Sequence, residues 1–243
     1  MEPKKKLGYP LSIPLGMVLA ASAGYMDAYS YLARDKVFAN AQTGNIMLLG
    51  ISLAEGRWDQ VLHYACPVAA FGIGILLSYF LTQLVWRDGH GQGTCMILAL
   101  EIAGLFAVPW IGPNLYANAL ISLVCGMQLQ AFSTVGGNGA ATTMCIGNYR
   151  LALQWATNGL QTQNPTAKQK AAVHGGIILF FVLGAVGASR VIDAAGKWAI
   201  WGSCVLLLLA VGMKLLSLKE APPPMPHRKS DSTKKTGLSR KCS

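Results

Sequence analysis

Two short polar segments that share a Gly-Asn pair interrupt a chain composed mostly of apolar residues. The segments are residues 38–45 (FANAQTGN) and residues 141–148 (ATTMCIGN). In a bilayer, polar backbone that contains glycine is tolerated only where protein or a water-filled cavity surrounds it. Two such interruptions in corresponding halves of a chain indicate a solute site between two structural repeats.

The composition indicates a membrane protein. Of the 243 residues, 53% are hydrophobic and 12% are charged, and that charged fraction is about half the value for ordinary soluble domains. Six stretches approach or exceed the roughly 20 apolar residues that cross a bilayer as a helix. We therefore predict an all-α membrane protein with six transmembrane helices in a lipid bilayer. The six spans are residues 11–33, 61–85, 94–112, 115–136, 171–191 and 197–217.

The net charge of +10 is concentrated at the two ends of the chain. Lys4, Lys5 and Lys6 precede the first span, and seven further Lys and Arg residues follow Ser217. Because short basic flanks stay on the cytoplasmic side, we predict that both termini are cytoplasmic and that the spans lie in the cell membrane. This placement argues against a nucleic-acid partner. We expect a basic N-terminal segment 1–10 and a disordered basic tail 218–243.

A shift of the sequence by 103 positions, without gaps, aligns the two halves of the chain. It places one Gly-Asn pair over the other, and Gly72 over Gly175. Each half then has the same order of an apolar span, a Gly-Asn interruption, a short helix and further apolar spans. We predict two repeats, residues 11–113 and 114–217. Because each contains three spans, the second repeat is inverted relative to the first.

The stretches that follow the two Gly-Asn pairs are predicted to be half-helices. Residues 46–54 and 149–157 would each extend roughly 15 Å at 1.5 Å per residue, and they are too short for a hydrocarbon core of about 30 Å. Entering from opposite faces, they would meet near the midplane. Glycine would permit a tight turn before each half-helix, and asparagine would cap its start.

This geometry predicts a solute site built from the two segments. Free N–H groups and the positive end of the helix dipole would face the pocket, which suits an anionic or strongly hydrogen-bonding solute. The alternative is that these polar residues only cap short interfacial helices and bind nothing. The predicted solute-binding residues are Asn40, Gln42, Thr43, Gly44, Asn45, Thr142, Thr143, Gly147 and Asn148.

Two acidic residues lie within predicted spans. Asp27 lies in the first span and Glu101 in the third, where an ionisable group is a functional candidate because burying it in a membrane is costly. Asp27 could carry a coupling proton, bind a cation or hold the Gly-Asn segment through hydrogen bonds; alternatively, it is hydrated near the outer interface. His174, at the start of the fifth span, is predicted to be interfacial.

The sequence predicts neither catalytic residues nor a cofactor. It contains no HExxH, GxSxG, phosphate-binding loop or paired-carboxylate motif, so we expect that the protein is not an enzyme. Its six cysteines show no CxxC or Cys/His spacing. We therefore predict no metal site and no disulfide framework.

Residues 23–32 (AGYMDAYSYL) and 37–45 (VFANAQTGN) resemble the hallmark of the YoaK family of polytopic membrane proteins. Residues 141–150 (ATTMCIGNYR) are similar to the second conserved stretch of that family, in which a threonine usually precedes the glycine; Ile146 stands there in this chain. The resemblance covers roughly residues 10–217. It implies a membrane domain of unknown function and supplies no substrate.

The leading functional hypothesis is a transporter or facilitator of a small polar or anionic solute. Thr43, Asn45 and Asn148 would contact the solute, and Asp27 would couple protons or hold the segment. A channel is a second hypothesis, because paired half-helices also build selective pores. A third is a non-transporting scaffold or lipid-binding protein. Small residues on the spans would also support a homodimer.

Overall fold

Long apolar helices dominate the structure, a computed structural model that describes residues 10–85 and 90–220. Among these residues, two short 3₁₀ helices (Val108–Trp110 and Gly196–Ile200) and three two-residue strands accompany the α-helices. The all-helical class predicted from the sequence is confirmed. The α-helices are α1 (Ile13–Ala33), α2 (Gln42–Ala54), α3 (Trp58–Val85), α4 (His90–Ala107), α5 (Asn114–Ala131), α6 (Cys145–Thr162), α7 (Pro165–Ala195) and α8 (Trp201–Glu220).

Helix α7 shows how local sequence sets the helix ends. Asn164 precedes the helix, and its side-chain oxygen accepts a hydrogen bond from the Thr166 N–H at 2.9 Å, which satisfies one of the free donors of the first turn. Pro165 follows at the first helical position, where its missing N–H costs nothing. The helix ends at Ala195, and the next residue, Gly196, has a positive φ of 55°.

Glycine residues bring α1 and α7 into close contact. Gly24 on α1 lies against the backbone carbonyl of Phe181, and Gly184 on α7 lies against that of Ala21. A Cβ atom at either glycine would overlap the facing carbonyl oxygen. The two helix backbones therefore approach as closely as small residues permit.

The same arrangement joins α3 and α5. Gly74 on α3 lies against the backbone carbonyl of Leu123, and Gly126 on α5 lies against that of Phe71. In each helix pair, α3 or α7 contributes the phenylalanine whose carbonyl faces the glycine of the partner helix. The glycine of α3 or α7 itself follows three residues after that phenylalanine. Gly72 on α3 and Gly175 on α7 take part in no such contact, because an added Cβ at either would meet nothing within 4 Å.

Helices α1 and α5 are the innermost elements of the described structure. Helix α1 packs on α7 and also on α8, and α5 packs on α3 and also on α4. Helices α4 and α8 pack on each other. Helices α2 and α6 lie at the periphery, α2 on α3 and α6 on α7. Fully buried side chains of the core include Leu19, Met26, Tyr29, Ile97, Ile121, Phe132 and Ile177.

Three stretches of the described residues are long and apolar enough to cross a membrane: Trp58–Leu84, Gly93–Trp110 and Pro165–Ser217. The last stretch contains both α7 and α8. The outer faces of these helices carry exposed leucine, valine and phenylalanine side chains, such as Phe80, Leu183 and Leu208. An apolar surface of this kind suits lipid rather than water.

The Gly-Asn pairs lie inside helices rather than in the turns before them. The prediction that Gly44 makes a tight turn is wrong, because α2 already begins at Gln42 and positive φ angles occur earlier, at Asp35 and Lys36. The prediction of two equally short half-helices is also wrong. Helix α6 has 18 residues, or about 27 Å at 1.5 Å per residue, because it continues until the turn before α7.

A small three-stranded sheet closes one end of α5. Strand β1 (Pro10–Leu11) pairs in parallel with β2 (Thr134–Val135), which pairs antiparallel with β3 (Asn138–Gly139). The two-residue connection of the hairpin is Gly136-Gly137, and both glycines have positive φ, as such tight turns require. The predicted span 115–136 therefore ends early, since its helix stops at Ala131.

The predictions for the chain ends lie outside the described residues. They concern the basic segment 1–10, of which only the backbone of Pro10 is described, and the tail 218–243 beyond Glu220. The cytoplasmic location of both termini stays a prediction.

Candidate functional site

A cavity of about 320 Å³ lies where the two Gly-Asn segments meet. The N-terminal ends of α2 and α6 form much of its wall, and α1, α3 and α7 contribute one side chain each. Six of the predicted site residues share this cavity. The lining residues are Asp27, Asn40, Ala41, Gln42, Thr43, Phe71, Thr143, Met144, Cys145, Ile146, Gly147 and Phe181.

Helix α1 holds the first segment in place through three hydrogen bonds. The Asp27 carboxylate accepts the backbone N–H of Asn40, with an N to Oδ1 distance of 2.7 Å. The Asn40 side-chain amide donates to the Ala23 carbonyl at 3.0 Å, and the Ser30 hydroxyl accepts from the Ala39 N–H at 3.1 Å. Of the roles that the sequence left open for Asp27, holding the segment has a direct structural basis.

Asn45 and Gly44 stabilise the first segment from outside the cavity. The Asn45 amide donates to the Phe38 carbonyl at 2.7 Å and to the Gln42 side-chain oxygen at 2.8 Å, while its Oδ1 accepts from the Phe38 N–H at 3.1 Å. At Gly44, a Cβ would lie 2.9 Å from the Phe38 ring. Neither residue lines the cavity, and Asn45 is not the helix cap that the sequence predicted.

Asn148 has the corresponding position in the second segment. Its amide donates to the carbonyls of Ala141 and Met144, both at 2.7 Å. Because both amide hydrogens are directed at carbonyls, its Oδ1 must accept, and Nδ1 of His174 donates to it at 2.8 Å. His174 is therefore buried inside the described protein, and its position at the membrane interface stays a prediction.

Thr142 is also committed to the protein. Its hydroxyl accepts from the Gln128 side chain at 3.2 Å, and the same amide nitrogen donates to the Leu19 carbonyl at 3.1 Å. Neither Thr142 nor Asn148 lines the cavity. The second segment thus reaches the cavity through the residues from Thr143 to Gly147.

The electrostatics of the cavity combine two positive helix ends with one carboxylate. The dipole of a helix acts as about half a positive charge at its N-terminus, although at α2 the Gln42 and Gly44 N–H groups already donate to the carbonyls of Asn40 and Ala41. The N-terminal residues of both α2 and α6 line the cavity, and Asp27 is the lining residue with a formal charge. The cavity can therefore meet acceptor and donor groups at once.

Two lining residues have buried oxygens without a hydrogen-bond partner in the described part of the chain. They are Oδ1 of Asn40 and Oγ1 of Thr143, on side chains that are 8% and 4% exposed. A buried polar atom left unpaired costs about 1–3 kcal/mol, and most buried polar atoms in folded proteins do have partners. Unused hydrogen-bonding capacity is thus present in the residues that form the cavity.

Glu101 lies elsewhere in the core. It is fully buried on α4, and neither carboxyl oxygen has a partner among the described residues. It does not line the cavity. The grouping of Glu101 with the solute site stays a prediction. Within the described residues, no group of three or more His, Cys, Asp or Glu side chains is placed to hold a metal ion.

The sequence did not indicate Phe71 and Phe181 as site residues. Both line the cavity, and both face a glycine in the two close helix contacts. Nothing in their local sequence distinguishes them from other apolar residues. Arg34 was also missed: it is buried at 4% exposure, and its guanidinium donates to the Tyr29 hydroxyl, the Asn114 side chain and the carbonyls of Val108 and Ile111.

Comparison with known proteins agrees with a membrane protein. A family model described as "Protein of unknown function (DUF1275)" matches residues 15–213, which include both Gly-Asn segments. The chain is similar to the UPF0700 transmembrane protein YoaK of Bacillus subtilis (strain 168), with 23% identity over 198 residues. That match covers 78% of this chain and 88% of the relative. No solved structure gives a significant match.

Proposed function

The chain belongs to the family described as protein of unknown function (DUF1275), and we propose that it is a transporter or facilitator of a small polar or anionic solute in the cell membrane. The solute binds in the cavity between the two Gly-Asn segments. In this proposal the protein is not an enzyme, and both termini are cytoplasmic. The site is complete in one chain, so the proposal holds for a monomer and for a homodimer alike.

The proposed architecture is a pair of inverted three-span repeats, α1–α4 and α5–α8. The pairing of helices supports it, because exchanging the two sets converts the α1–α7 contact into the α5–α3 contact. The glycine contacts also correspond: Gly24 and Gly126 face Phe181 and Phe71, respectively. Phe71 and Phe181 are 110 positions apart, whereas the two Gly-Asn pairs are 103 positions apart. The second repeat would therefore contain about seven additional residues between its Gly-Asn pair and its phenylalanine.

A hydrogen bond that occurs in both segments gives further support. The amide of Asn45 donates to the carbonyl seven residues earlier, that of Phe38, and the amide of Asn148 donates to the carbonyl seven residues earlier, that of Ala141. Both bonds have a length of 2.7 Å. Two unrelated segments would have no reason to share this bond, whereas duplicated segments would.

The single observation that carries the transport proposal is the shared cavity, to which both segments contribute polar residues, Asn40 and Thr143 among them. These two residues also have buried oxygens without a partner in the described protein, so a solute between the segments could bond to both once the side chains turn toward it. Thr43, an exposed residue on the first turn of α2, also lines the cavity and carries a hydroxyl. Asn45 and Asn148 hold the segments in position, and their role in transport is indirect.

Thr143→Val tests the proposal with little risk to the fold. The hydroxyl has no partner in the described protein, so the nearly isosteric valine removes a solute contact without breaking a known internal bond. Proteoliposomes would be screened for uptake of labelled amino acids, nucleobases, sugars and small anions. We expect saturable uptake of at least one solute, which Thr143→Val lowers by about tenfold or more. Thr157→Val, on the exposed part of α6, is the matched control and should transport normally.

Thiol labelling tests access to the cavity without knowledge of the solute. Cys145 lines the cavity, and a variant retaining only this cysteine should react with a membrane-impermeant thiol reagent. A cysteine-free variant carrying Thr43→Cys should also react, whereas a variant retaining only the fully buried Cys125 should not. If neither Cys145 nor Thr43→Cys is labelled from either side of the membrane in folded protein, the proposal is contradicted.

A non-transporting scaffold is the second candidate. It is favoured by the side chains of Asn45, Asn148 and Thr142, which are all used in bonds within the protein. In that case the polar segments only shape the fold. Labelled cavity positions without uptake of any solute, together with normal stability of Thr143→Val, would favour the scaffold.

A further inference from the structure

We propose that the ligand of the cavity is a small zwitterion with a compact apolar skeleton, an inference that rests on the proposed function and specifies its solute. The cavity presents both signs of charge to a bound molecule. The N-terminal ends of α2 and α6 line it together, and the Asp27 carboxylate shares the same space. All other lining residues are neutral.

The balance of these charges disfavours solutes with a single charge. Two helix N-termini amount to about one positive charge in total, which is offset by one carboxylate. An anion held at the helix ends would be close to Asp27, and a cation held at Asp27 would be close to both helix ends. A solute that carries a carboxylate and an ammonium group can place each group next to its opposite.

The unpaired oxygens supply the second, independent observation. One N–H of the Asn40 amide donates to the Ala23 carbonyl, and Oδ1, which can only accept, has no partner among the described residues. Thr143 has a free hydroxyl, which can accept or donate. Asp27 is itself 9% exposed and already accepts from the Asn40 N–H at 2.7 Å. This acceptor-rich group of residues matches an ammonium donor.

The size and apolar walls of the cavity narrow the class further. A volume of about 320 Å³ lies at the lower end of the range for ligand pockets, about 300–1,000 Å³, and suits a small molecule. Phe71 and Phe181 contribute apolar surface from α3 and α7, and this surface favours a hydrocarbon body over a sugar. A neutral amino acid with a small aliphatic side chain has these properties.

Binding would be measured by calorimetry on the full-length protein in lipid nanodiscs. The probes are three zwitterions, L-valine, L-proline and γ-aminobutyrate, beside isovalerate and isobutylamine, which are valine without its ammonium and without its carboxylate. We expect at least one zwitterion to bind about tenfold or more tightly than both single-charge probes, since each lost charged hydrogen bond costs roughly that factor. Asp27→Asn should remove most of the advantage over isovalerate, because the amide oxygen can still accept the Asn40 N–H but carries no charge.

Asp193→Asn, an exposed carboxylate near the end of α7 that does not line the cavity, is the matched control and should keep the full preference. Equal binding of a zwitterion and isovalerate, an unchanged preference in Asp27→Asn, or no binding of any zwitterion would overturn the inference. If Cys145 is still labelled from water and another solute protects it, the transport proposal stands and only the zwitterion is wrong. If neither Cys145 nor Thr43→Cys can be labelled in folded protein, both fail.

Discussion

The crossing of α1 and α7 makes a sharp prediction for a single methyl group. In Gly184→Ala, the new Cβ would lie 2.7 Å from the carbonyl carbon of Ala21 and 2.9 Å from its Cα. Carbon atoms in contact are normally about 3.5–4.0 Å apart, so the helices must separate by about 1 Å. The obstacle is helix backbone, which cannot rotate away as a side chain can.

The magnitude follows from two opposing effects. Overpacking of a close contact costs about 1–3 kcal/mol, and a rigid backbone obstacle places Gly184→Ala at about 2–3 kcal/mol. Alanine is about 1 kcal/mol more favourable than glycine in a helix, which reduces the net loss to about 1–2 kcal/mol. Gly187→Ala, one turn further along α7, has no atom within 4 Å of the new Cβ. Gly187→Ala should therefore gain only the roughly 1 kcal/mol by which alanine favours a helix over glycine. The free energies of unfolding of the two variants should then differ by about 2–3 kcal/mol.

The free energy of unfolding would be measured by titrating the purified protein in mixed micelles with a denaturing detergent. Gly24→Ala, on the other side of the same crossing, should resemble Gly184→Ala, because its Cβ would overlap the Phe181 carbonyl. The double variant should lose less than the sum of the two, since one separation of the helices relieves both contacts. If Gly184→Ala is as stable as Gly187→Ala, α1 and α7 do not cross as closely as the contacts of Gly24 and Gly184 require.

Three further predictions concern the polar contacts and the topology. Asn45→Asp should lower the free energy of unfolding by about 2 kcal/mol or more, because it leaves the Phe38 carbonyl without its donor; the exposed Asn158→Asp should change it little. Arg34→Lys should destabilise by about 2 kcal/mol, since one ammonium cannot reproduce a fork that reaches four acceptors, and a thermal midpoint equal to the parent would contradict this. A reporter fused after Ser243 should be active only in the cytoplasm, and activity outside would contradict six spans.

The positions of the helices were largely predictable from the sequence. A long apolar stretch predicts a helix that lies among lipid or other apolar helices, and a helix forms at each of the six predicted spans. The limits of α6 were missed because the predicted half-helix was judged from apolar content alone. The signal that was available is Asn164-Pro165, a helix start, which leaves room for α6 to continue to Thr162.

The convergence of the two polar segments was also predicted, but the tasks of their residues were not. The sequence assigned Asn45 and Asn148 to the solute, whereas the structure uses both amides to hold backbone carbonyls. An asparagine at a given position can do either, because its hydrogen-bonding capacity is the same in both roles. The choice depends on which groups the folded chain brings within about 3 Å.

The sequence by itself determined a helical membrane protein with two polar Gly-Asn segments, because apolar length, composition and the positions of the motifs are properties of the chain alone. Only the tertiary structure decided that Phe71 and Phe181 form walls of the cavity, that Gly24 and Gly184 permit the closest helix contact, and that Asp27 holds the Asn40 backbone. Each of these roles depends on a partner distant in sequence. The packing of the folded chain brings these partners together, and the neighbouring sequence does not indicate them.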